Sequence, residues 1–176
     1  MKKILVTGAA GFIGSQLAGR LQNNGYEVKG IDNFNRHLYD PKLKIDRMTH
    51  FDLFIWNCDL ADDIKTEALL REFSPDVIIH LAAHAGVRDS MGKEKQYHRN
   101  NIDATQNLID VCKKYLPDTR IIYASTSCVY AGSQVPWTEG QETGKQLNAY
   151  GYTKWANECQ FQSSGLNTVG LRFFTV

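Results

Sequence analysis

The sequence predicts an α/β protein, with a doubly wound parallel sheet of about six strands in one domain that spans residues 1–176. Three observations favour this fold. Short and nearly all-apolar runs alternate with longer segments whose apolar residues have helical spacing. These runs lack polar alternation, which is typical of parallel strands buried on both faces. A glycine-rich turn joins the first run to the first helical segment.

The first elements alternate in the expected order. Residues 3–7 are a nearly all-apolar run and predict the first strand. Helical spacing of apolar residues predicts a helix over 12–24, which ends before Gly25, a residue suited to a helix C-terminus. The second and third strands are predicted over 27–31 and 51–56.

The middle of the chain repeats the pattern. A helix is predicted over 62–73, with Asp62 or Asp63 as its N-cap, and Pro75 closes the segment. The fourth strand, 77–81, is again almost continuously apolar. Its exit turn should hold ligand-binding residues, because ligands of doubly wound folds bind at the carboxyl ends of the strands.

The last elements complete the sheet. A long helix is predicted over 94–116, where Pro117 ends it, and the fifth strand over 120–124. A helix over 148–163 and a sixth strand over 168–174 follow. Helices between parallel strands form crossovers of one hand, which supports a single doubly wound sheet.

Composition excludes several functional classes. The chain is 43% hydrophobic and 22% charged with a net charge of +1, and its basic residues are dispersed. This predicts neither nucleic-acid binding nor membrane association, since no basic patch, signal peptide or apolar span is present. The four cysteines form no C-x-x-C pair and no metal-ligand spacing. We therefore expect a cytoplasmic protein with reduced thiols and no bound metal.

The glycine-rich turn predicts a dinucleotide-binding site of the Rossmann type. Gly8 allows the tight turn, Gly11 lets the backbone approach a pyrophosphate, and Gly14 lets the helix pack closely on the sheet. Phe12 and Ile13 open the helix, whose unpaired N–H groups and positive dipole end favour phosphate. A glycine-rich turn can be a turn only, but its place between strand and helix favours binding.

A carboxylate after the second strand predicts which dinucleotide binds. Asp32, followed by Asn33, can accept hydrogen bonds from the adenosine ribose and would repel a 2′-phosphate. The sequence therefore favours NAD over NADP. Arg36 is close enough to neutralise such a phosphate, and a solvated Asp at a strand end is the alternative interpretation.

The turn spacing, G-x-x-G-x-x-G, resembles that of the short-chain dehydrogenase/reductases, and more specifically their NAD-dependent epimerases and dehydratases. Three later segments support the resemblance: Asp59-Leu60, His80-Leu81-Ala82-Ala83, and Asn101 in the long helix. The resemblance implies that the first pair contacts the adenine and that Leu81, Ala82 and Ala83 lie under the cofactor. It implies for Asn101 an amide that interrupts helix hydrogen bonding and orients a catalytic lysine.

Tyr150 and Lys154 form the Tyr-x-x-x-Lys pair of that family. Positions four apart share one face of a helix. A phenol beside an ammonium group and a cationic nicotinamide has its pKa lowered, which lets it act as a base. Lys154 would also hold the nicotinamide ribose. Tyr152 cannot replace Tyr150, because Ala156 stands four residues after it.

A serine-rich turn follows the fifth strand and precedes Val129-Tyr130. The resemblance places Thr126 at the substrate-binding Ser or Thr of the family, where its hydroxyl bonds the reacting sugar oxygen. Ser127 would be a second substrate contact. Either hydroxyl alone is also consistent with a residue that merely shapes the turn.

Within the family, the chain resembles the UDP-glucuronate 4-epimerases most. The segments that carry this likeness are Tyr39-Asp40-Pro41, Ala85-Gly86-Val87-Arg88 with Ser90, and Gly170-Leu171-Arg172-Phe173-Phe174-Thr175-Val176. The implied reaction is C4 epimerisation of a UDP-hexuronate, with Arg88 on the carboxylate or diphosphate, or else structural. The dehydratases carry an Asp-Glu pair where Ser127-Cys128 stands here, which argues against a 4,6-dehydratase. Another sugar-nucleotide epimerase remains an alternative.

The resemblance implies that members of the family continue beyond the sixth strand into a substrate domain, which we expect this chain to lack. Three hypotheses stay open: an active enzyme, a non-catalytic NAD-binding module, or a half-enzyme that needs a separate C-terminal partner chain. The family pairs its two helices, here 94–116 and 148–163, across a dimer, which implies a homodimer.

Overall fold

The structure, a computed structural model, describes residues 1–37, 40–49 and 53–175. Six parallel strands form one sheet in the order β3-β2-β1-β4-β5-β6. Their bounds are β1 Lys3–Thr7, β2 Glu27–Asp32, β3 Ile55–Asn57, β4 Val77–His80, β5 Arg120–Thr126 and β6 Thr168–Phe173. The predicted doubly wound α/β fold is confirmed.

Helices connect the strands. They are α1 Phe12–Asn23, α2 Pro41–Met48, α3 Asp63–Phe73, α4 Glu94–Tyr97, α5 Ala104–Tyr115 and α6 Ala149–Ser163, with a π-helix over His98–Asp103 and a 3₁₀ turn over Ser127–Tyr130. None of the helices within the described ranges has the length and hydropathy needed to cross a membrane.

Apolar side chains cover both faces of the sheet. In β1, Leu5 belongs to one buried cluster, while Ile4 and Val6 belong to a second cluster on the opposite face. Helices α3 and α5 fill the first cluster through Leu70 and Leu108, both fully buried. This alternation follows from the pleat of a strand and explains why the runs are continuously apolar.

Several elements differ from the prediction. The predicted third strand starts in residues 51 and 52, which lie outside the described residues. The predicted helix 94–116 is interrupted by the π-helix, and strand β5 continues to Thr126. Helix α2 was not predicted from the periodicity, because it is short and its apolar residues form no long helical pattern.

The order of the strands creates a crevice at one edge of the sheet. Strand β1 pairs with both β2 and β4. The chain therefore builds the sheet outward from one side of β1 first, and then crosses to its other side at β4. Turns after these central strands diverge to opposite faces and leave a cleft at their carboxyl ends. The predicted ligand-binding turns meet here.

Candidate functional site

The glycine turn is shaped by contacts that exclude side chains. Gly8 has a φ of +69°, and a Cβ there would lie 2.9 Å from the backbone nitrogen of Ala82. A Cβ on Gly14 would collide with the carbonyl of Gly8. Gly11 is the N-cap of α1 without any side-chain cap. The first N–H groups of α1 therefore remain available to an anion at the mouth of the crevice.

Asp32 lies at the end of β2, where it is 6% exposed. Its Oδ2 accepts a hydrogen bond from the backbone N–H of Ala10 at 3.2 Å, and its Oδ1 from that of Phe34 at 2.8 Å. These bonds fix the carboxylate against the glycine turn. The nearby cation is Lys44, whose Nζ lies 2.9 Å from Oδ1, whereas Arg36 is exposed.

A cavity of about 400 Å³ extends along the carboxyl edge of the sheet. Its walls include backbone, apolar side chains and a few polar groups, as is usual for a cofactor site. Among the residues predicted from the sequence, those that line it are Gly8, Gly11, Phe12, Ile13, Gly14, Asp32, Asn33, Asp59, Leu60, Leu81, Ala82, Ala83, Thr126, Tyr150 and Lys154. The glycine turn and the uncapped N-terminus of α1 fit a dinucleotide. Binding of a dinucleotide by this chain remains a prediction.

Helix α6 places the Tyr-Lys pair at the other end of the cavity. Asn148 caps this helix by accepting a hydrogen bond from the N–H of Gly151 at 2.7 Å. Lys154, 3% exposed, donates from Nζ to the carbonyl oxygen of Ala124 at 3.0 Å. Burial lowers the pKa of Lys154 to about 8. An ammonium group is thereby held against the end of β5.

The pKa of Tyr150 departs from the expected direction. Burial raises the pKa of this phenol above its ordinary value, and the side chain of Thr126 acts in the opposite sense with a smaller effect. Lys154 is not among the groups that shift this pKa, so the lowering expected from its ammonium group is not seen in the protein alone, and the loss of hydration of the phenolate dominates.

Thr126 ends strand β5 and is 6% exposed. Its Oγ1 accepts a hydrogen bond from the N–H of Cys128 at 3.2 Å, which fixes the start of the 3₁₀ turn. Ser125, the preceding residue, donates to Oε1 of Glu158, which in turn pairs with Arg172. The serine-rich turn is thus held by a charged network behind the cavity.

Asn101 lies in the π-helix, where the regular helix hydrogen bonding is interrupted as the resemblance implies, but its side chain does not line the cavity. Its Nδ2 donates to the carbonyl of His84 at 3.0 Å and to Oγ1 of Thr153 at 2.9 Å, and its Oδ1 accepts from the N–H of His84 at 2.7 Å. The amide is fully buried behind the cavity lining, where Asn100 and Ala104 appear instead. Asn101 therefore fixes the turn after β4 and the residue before Lys154, and does not face the cavity.

Two predicted substrate contacts also lie elsewhere. Arg88 is exposed in the turn after β4, and Ser127 is half-buried in the 3₁₀ turn. Neither lines the cavity. Ser125, which precedes Thr126, does line it, and the roles predicted for Arg88 and Ser127 stay predictions.

Several cavity residues were not predicted. They are Ile31, Asn35, His37, Lys44, Cys58, Ala85, Asn100, Ala104, Ala124, Ser125, Phe173 and Phe174, and His84 lines the cavity as well. Phe173 and Phe174 lie at the carboxyl end of β6, where ligand-binding residues of doubly wound sheets are generally expected. His37 and His84 stack with ring centroids 3.8 Å apart, a contact between turns 47 residues apart that has no signal in the sequence.

Comparison with known proteins identifies the family. The model of the NAD dependent epimerase/dehydratase family matches residues 4–176. The UDP-glucuronate 4-epimerase 4 of Arabidopsis thaliana is 39% identical over 98% of this chain and 41% of its own length. A UDP-glucose 4-epimerase of Caenorhabditis elegans is 39% identical over 97% of this chain and 53% of its length.

A solved structure agrees in fold. The UDP-glucuronic acid 4-epimerase of Bacillus cereus, solved with UDP-glucuronic acid and NAD, superposes with a TM-score of 0.85 at 37% identity. The match covers 98% of this chain and 56% of that one. The chain thus spans about half the length of the relatives it matches. By its sequence and fold, it belongs to the NAD-dependent epimerase/dehydratase family.

Proposed function

We propose that the chain binds NAD and carries the catalytic groups of a nucleotide-sugar 4-epimerase, which interconverts UDP-glucuronate and UDP-galacturonate. One observation carries the proposal. The glycine turn, Asp32 and the set formed by Thr126, Tyr150 and Lys154 line one continuous cavity, although they come from distant parts of the sequence.

The chain's own groups account for cofactor binding. The first N–H groups of α1 would hold the pyrophosphate, which the glycine turn lets approach, while Asp32 accepts from the adenosine ribose. At the other end, the buried ammonium of Lys154 would donate to the nicotinamide ribose. These two ends are separated by the carboxyl edges of β1 and β4, where Leu81 and Ala82 form the floor.

The proposed proton chemistry uses the same set. Tyr150 takes the proton of the sugar C4 hydroxyl, and Thr126 bonds the reacting oxygen. The chemistry that NAD supplies when bound is reversible hydride transfer at C4. Lys154 holds a buried ammonium group on the same helix as Tyr150. The positive ring of the oxidised cofactor would stabilise the phenolate and so offset the effect of burial on the pKa of Tyr150.

Relatives support the choice of substrate. Two of the proteins described above are named as epimerases of UDP-glucuronate or UDP-glucuronic acid, and a third as an epimerase of UDP-glucose. The shared step is inversion at C4. We rank UDP-hexuronates first among the candidate substrates, because the distinctive sequence segments of the chain resemble those of the UDP-glucuronate 4-epimerases.

A homodimer is also proposed. Helix α6 exposes Tyr152 and Trp155, which are 48% and 37% accessible, on the side away from the cavity residues Tyr150 and Lys154. Exposed aromatic side chains on one helix are typical of subunit contacts. Sedimentation velocity of the chain and of Trp155→Glu tests this assembly, with a dimer expected only for the former.

Deuterium at C4 tests the proposed reaction. The chain is incubated with NAD+ and UDP-glucuronate labelled with deuterium at C4, and the product is analysed by NMR. We expect UDP-galacturonate that keeps the label at C4, with a primary isotope effect on the rate, since the hydride leaves and returns within the site. Loss of the label to solvent would contradict hydride transfer.

A further inference from the structure

The buried face of helix α6 is mostly polar. Its buried residues are Gly151, Thr153, Lys154, Asn157, Glu158 and Phe161. Large apolar surface on this face comes from Phe161, and the other side chains are polar or charged apart from glycine. Apolar contacts have no preferred direction, whereas hydrogen bonds restrict the angle between their partners. The rotation of α6 about its own axis is therefore set mainly by polar contacts.

A stripe of polar side chains attaches α6 to the π-helix. Thr153, Asn157 and Gln160 have helical spacing, so they lie on one side of α6. Nδ2 of Asn157 donates to the carbonyl oxygen of Asn101 at 2.8 Å, and Nε2 of Gln160 donates to that of Ile102 at 3.2 Å. Oγ1 of Thr153 accepts from Nδ2 of Asn101 at 2.9 Å. Helix α6 thus grips this segment through side chains along its length.

The amides of Asn157 and Gln160 also hold each other. Nδ2 of Asn157 donates to Oε1 of Gln160 at 2.9 Å, and Nε2 of Gln160 donates to Oε1 of Gln106 on α5 at 3.0 Å. Asn157 is 2% exposed, and its Oδ1 has no partner among the described residues, so this amide acts through its donors. A buried network whose donors are paired favours one arrangement of the elements that it joins.

The neighbouring side of α6 carries the proposed catalytic groups. Thr153 precedes Lys154, and its hydroxyl donates to the carbonyl oxygen of Tyr150 at 2.8 Å. The side chains of Tyr150 and Thr126 share a hydrogen bond. Because Thr126 belongs to strand β5, this bond joins the helix to the sheet. A rotation of α6 would therefore move the phenol away from its partner.

We infer that Asn157 and Gln160 are positioning residues of the proposed active site, because they fix the rotation of α6 on the π-helix. That rotation holds the phenol of Tyr150 against Thr126. The inference rests on the proposed function, and it gives Asn157 and Gln160 no contact with substrate or cofactor, since neither lines the cavity. A misplacement of about 1 Å at a reacting group can lower a rate about 10²-fold.

Kinetics of UDP-glucuronate turnover with NAD+ test this inference. Asn157→Leu and Gln160→Met remove the donors at nearly constant volume. We expect kcat to fall at least about tenfold, while KM and the dissociation constant for NAD+ change less than about threefold, since only the reacting geometry is altered. The acid limb of the kcat profile should move to higher pH. Burial already raises the pKa of Tyr150, and the opposing hydrogen bond with Thr126 would be lost.

Matched variants separate positioning from folding. Gln160→Lys keeps a donor at a half-buried site and should recover most of the rate. Gln162 is exposed on the opposite side of α6, so Gln162→Met should match the parent. A fall in kcat that only follows the folded fraction, without a shift of the pH profile, would overturn the inference. Full rates in both Asn157→Leu and Gln160→Met would do the same.

An NMR titration reads the same geometry without turnover. In protein labelled with ¹³C at the tyrosine Cζ, Tyr150→Phe assigns the signal of Tyr150. With NAD+ bound, Asn157→Leu should raise the pKa of Tyr150, whereas Gln162→Met should not. An unshifted pKa in Asn157→Leu would contradict the inference even where the parent is active. A shifted pKa together with an inactive parent would support the positioning role and remove the proposed function instead.

Discussion

The guanidinium of Arg172 grips both carboxylate oxygens of Glu158, with Nε and Nη2 each at 2.9 Å. Glu158 lies four residues after Lys154 on α6, on the face that also carries Tyr150, and it accepts from Ser125 at the end of β5. This pair therefore joins strands β5 and β6 to the helix that carries the proposed catalytic groups.

Glu158→Gln should destabilise the protein. Arg172 would keep its charge but lose its bidentate partner, in a position only 20% exposed. Breaking a largely buried pair leaves an uncompensated charge, which we expect to lower the free energy of unfolding by about 2–4 kcal/mol. Urea denaturation gives the value. Glu67→Gln, which breaks the exposed pair with Arg71, is the control and should have little effect; equal losses in both variants would contradict this account.

Lys154→Met should stabilise the ligand-free protein while weakening NAD binding. The folded pKa of about 8 lies below the unfolded 10.5, so the unfolded chain holds more protons between these values. Stability of the parent therefore rises as pH increases from about 8 to 10.5. The advantage of Lys154→Met, about 1–3 kcal/mol at pH 7, should shrink over that range. Urea denaturation at pH 7 and pH 10 checks this; an advantage that grows with pH would refute it.

Acid should destabilise the protein through buried histidines. His80 bonds Thr7 through Nδ1 and Thr105 through Nε2, and burial lowers its pKa to about 3. The contribution of neutral His80 to stability is present at pH values above its unfolded pKa of 6.5. It is lost as the pH falls toward the folded pKa. At pH 5 we expect a loss of about 2 kcal/mol from His80 alone.

Denaturant midpoints at pH 7 and pH 5 measure this loss. His80→Gln should show a flatter pH dependence than the parent, although it is less stable at pH 7. The exposed His98 serves as the matched site, so that His98→Gln should keep the dependence of the parent. The same slope in all three proteins would show that His80 is not responsible.

Gly14→Ala should disable the dinucleotide turn. The added Cβ would collide with the carbonyl of Gly8, so the helix must move away from the turn. We expect a loss of about 1–3 kcal/mol in unfolding free energy and at least about tenfold weaker NAD binding, measured by calorimetry. Gly140→Ala, where the added Cβ has no neighbour within 4 Å, is the control. Undiminished affinity in Gly14→Ala would contradict the assignment of the turn.

Much of the fold could be predicted from the sequence, because parallel strands buried on both faces leave continuous apolar runs. Most site residues followed from the same reasoning, since the strand ends converge at one edge of the sheet. Asp32, Thr126 and Lys154 all line the cavity as expected. Their roles in binding and catalysis remain predictions.

Features that depend on distant contacts could not be predicted. Lys44 sits on a polar helix, and only the fold shows that this lysine turns toward Asp32. The periodicity predicts one continuous helix over 94–116, and only the resemblance indicates the interruption at Asn101, where the structure has a π-helix. The direction of Arg88 depends on an irregular turn, where hydrophobic periodicity carries no information.

Turnover of UDP-glucuronate in the presence of NAD+ by three proteins tests the central claim most directly. Tyr152 is a matched tyrosine on the same helix, 48% exposed. The parent and Tyr152→Phe should form UDP-galacturonate, whereas Tyr150→Phe should bind NAD+ normally and lose about 10²–10⁴-fold in rate. Undiminished turnover in Tyr150→Phe, or no product from any of the three with NAD+ bound, would contradict the account.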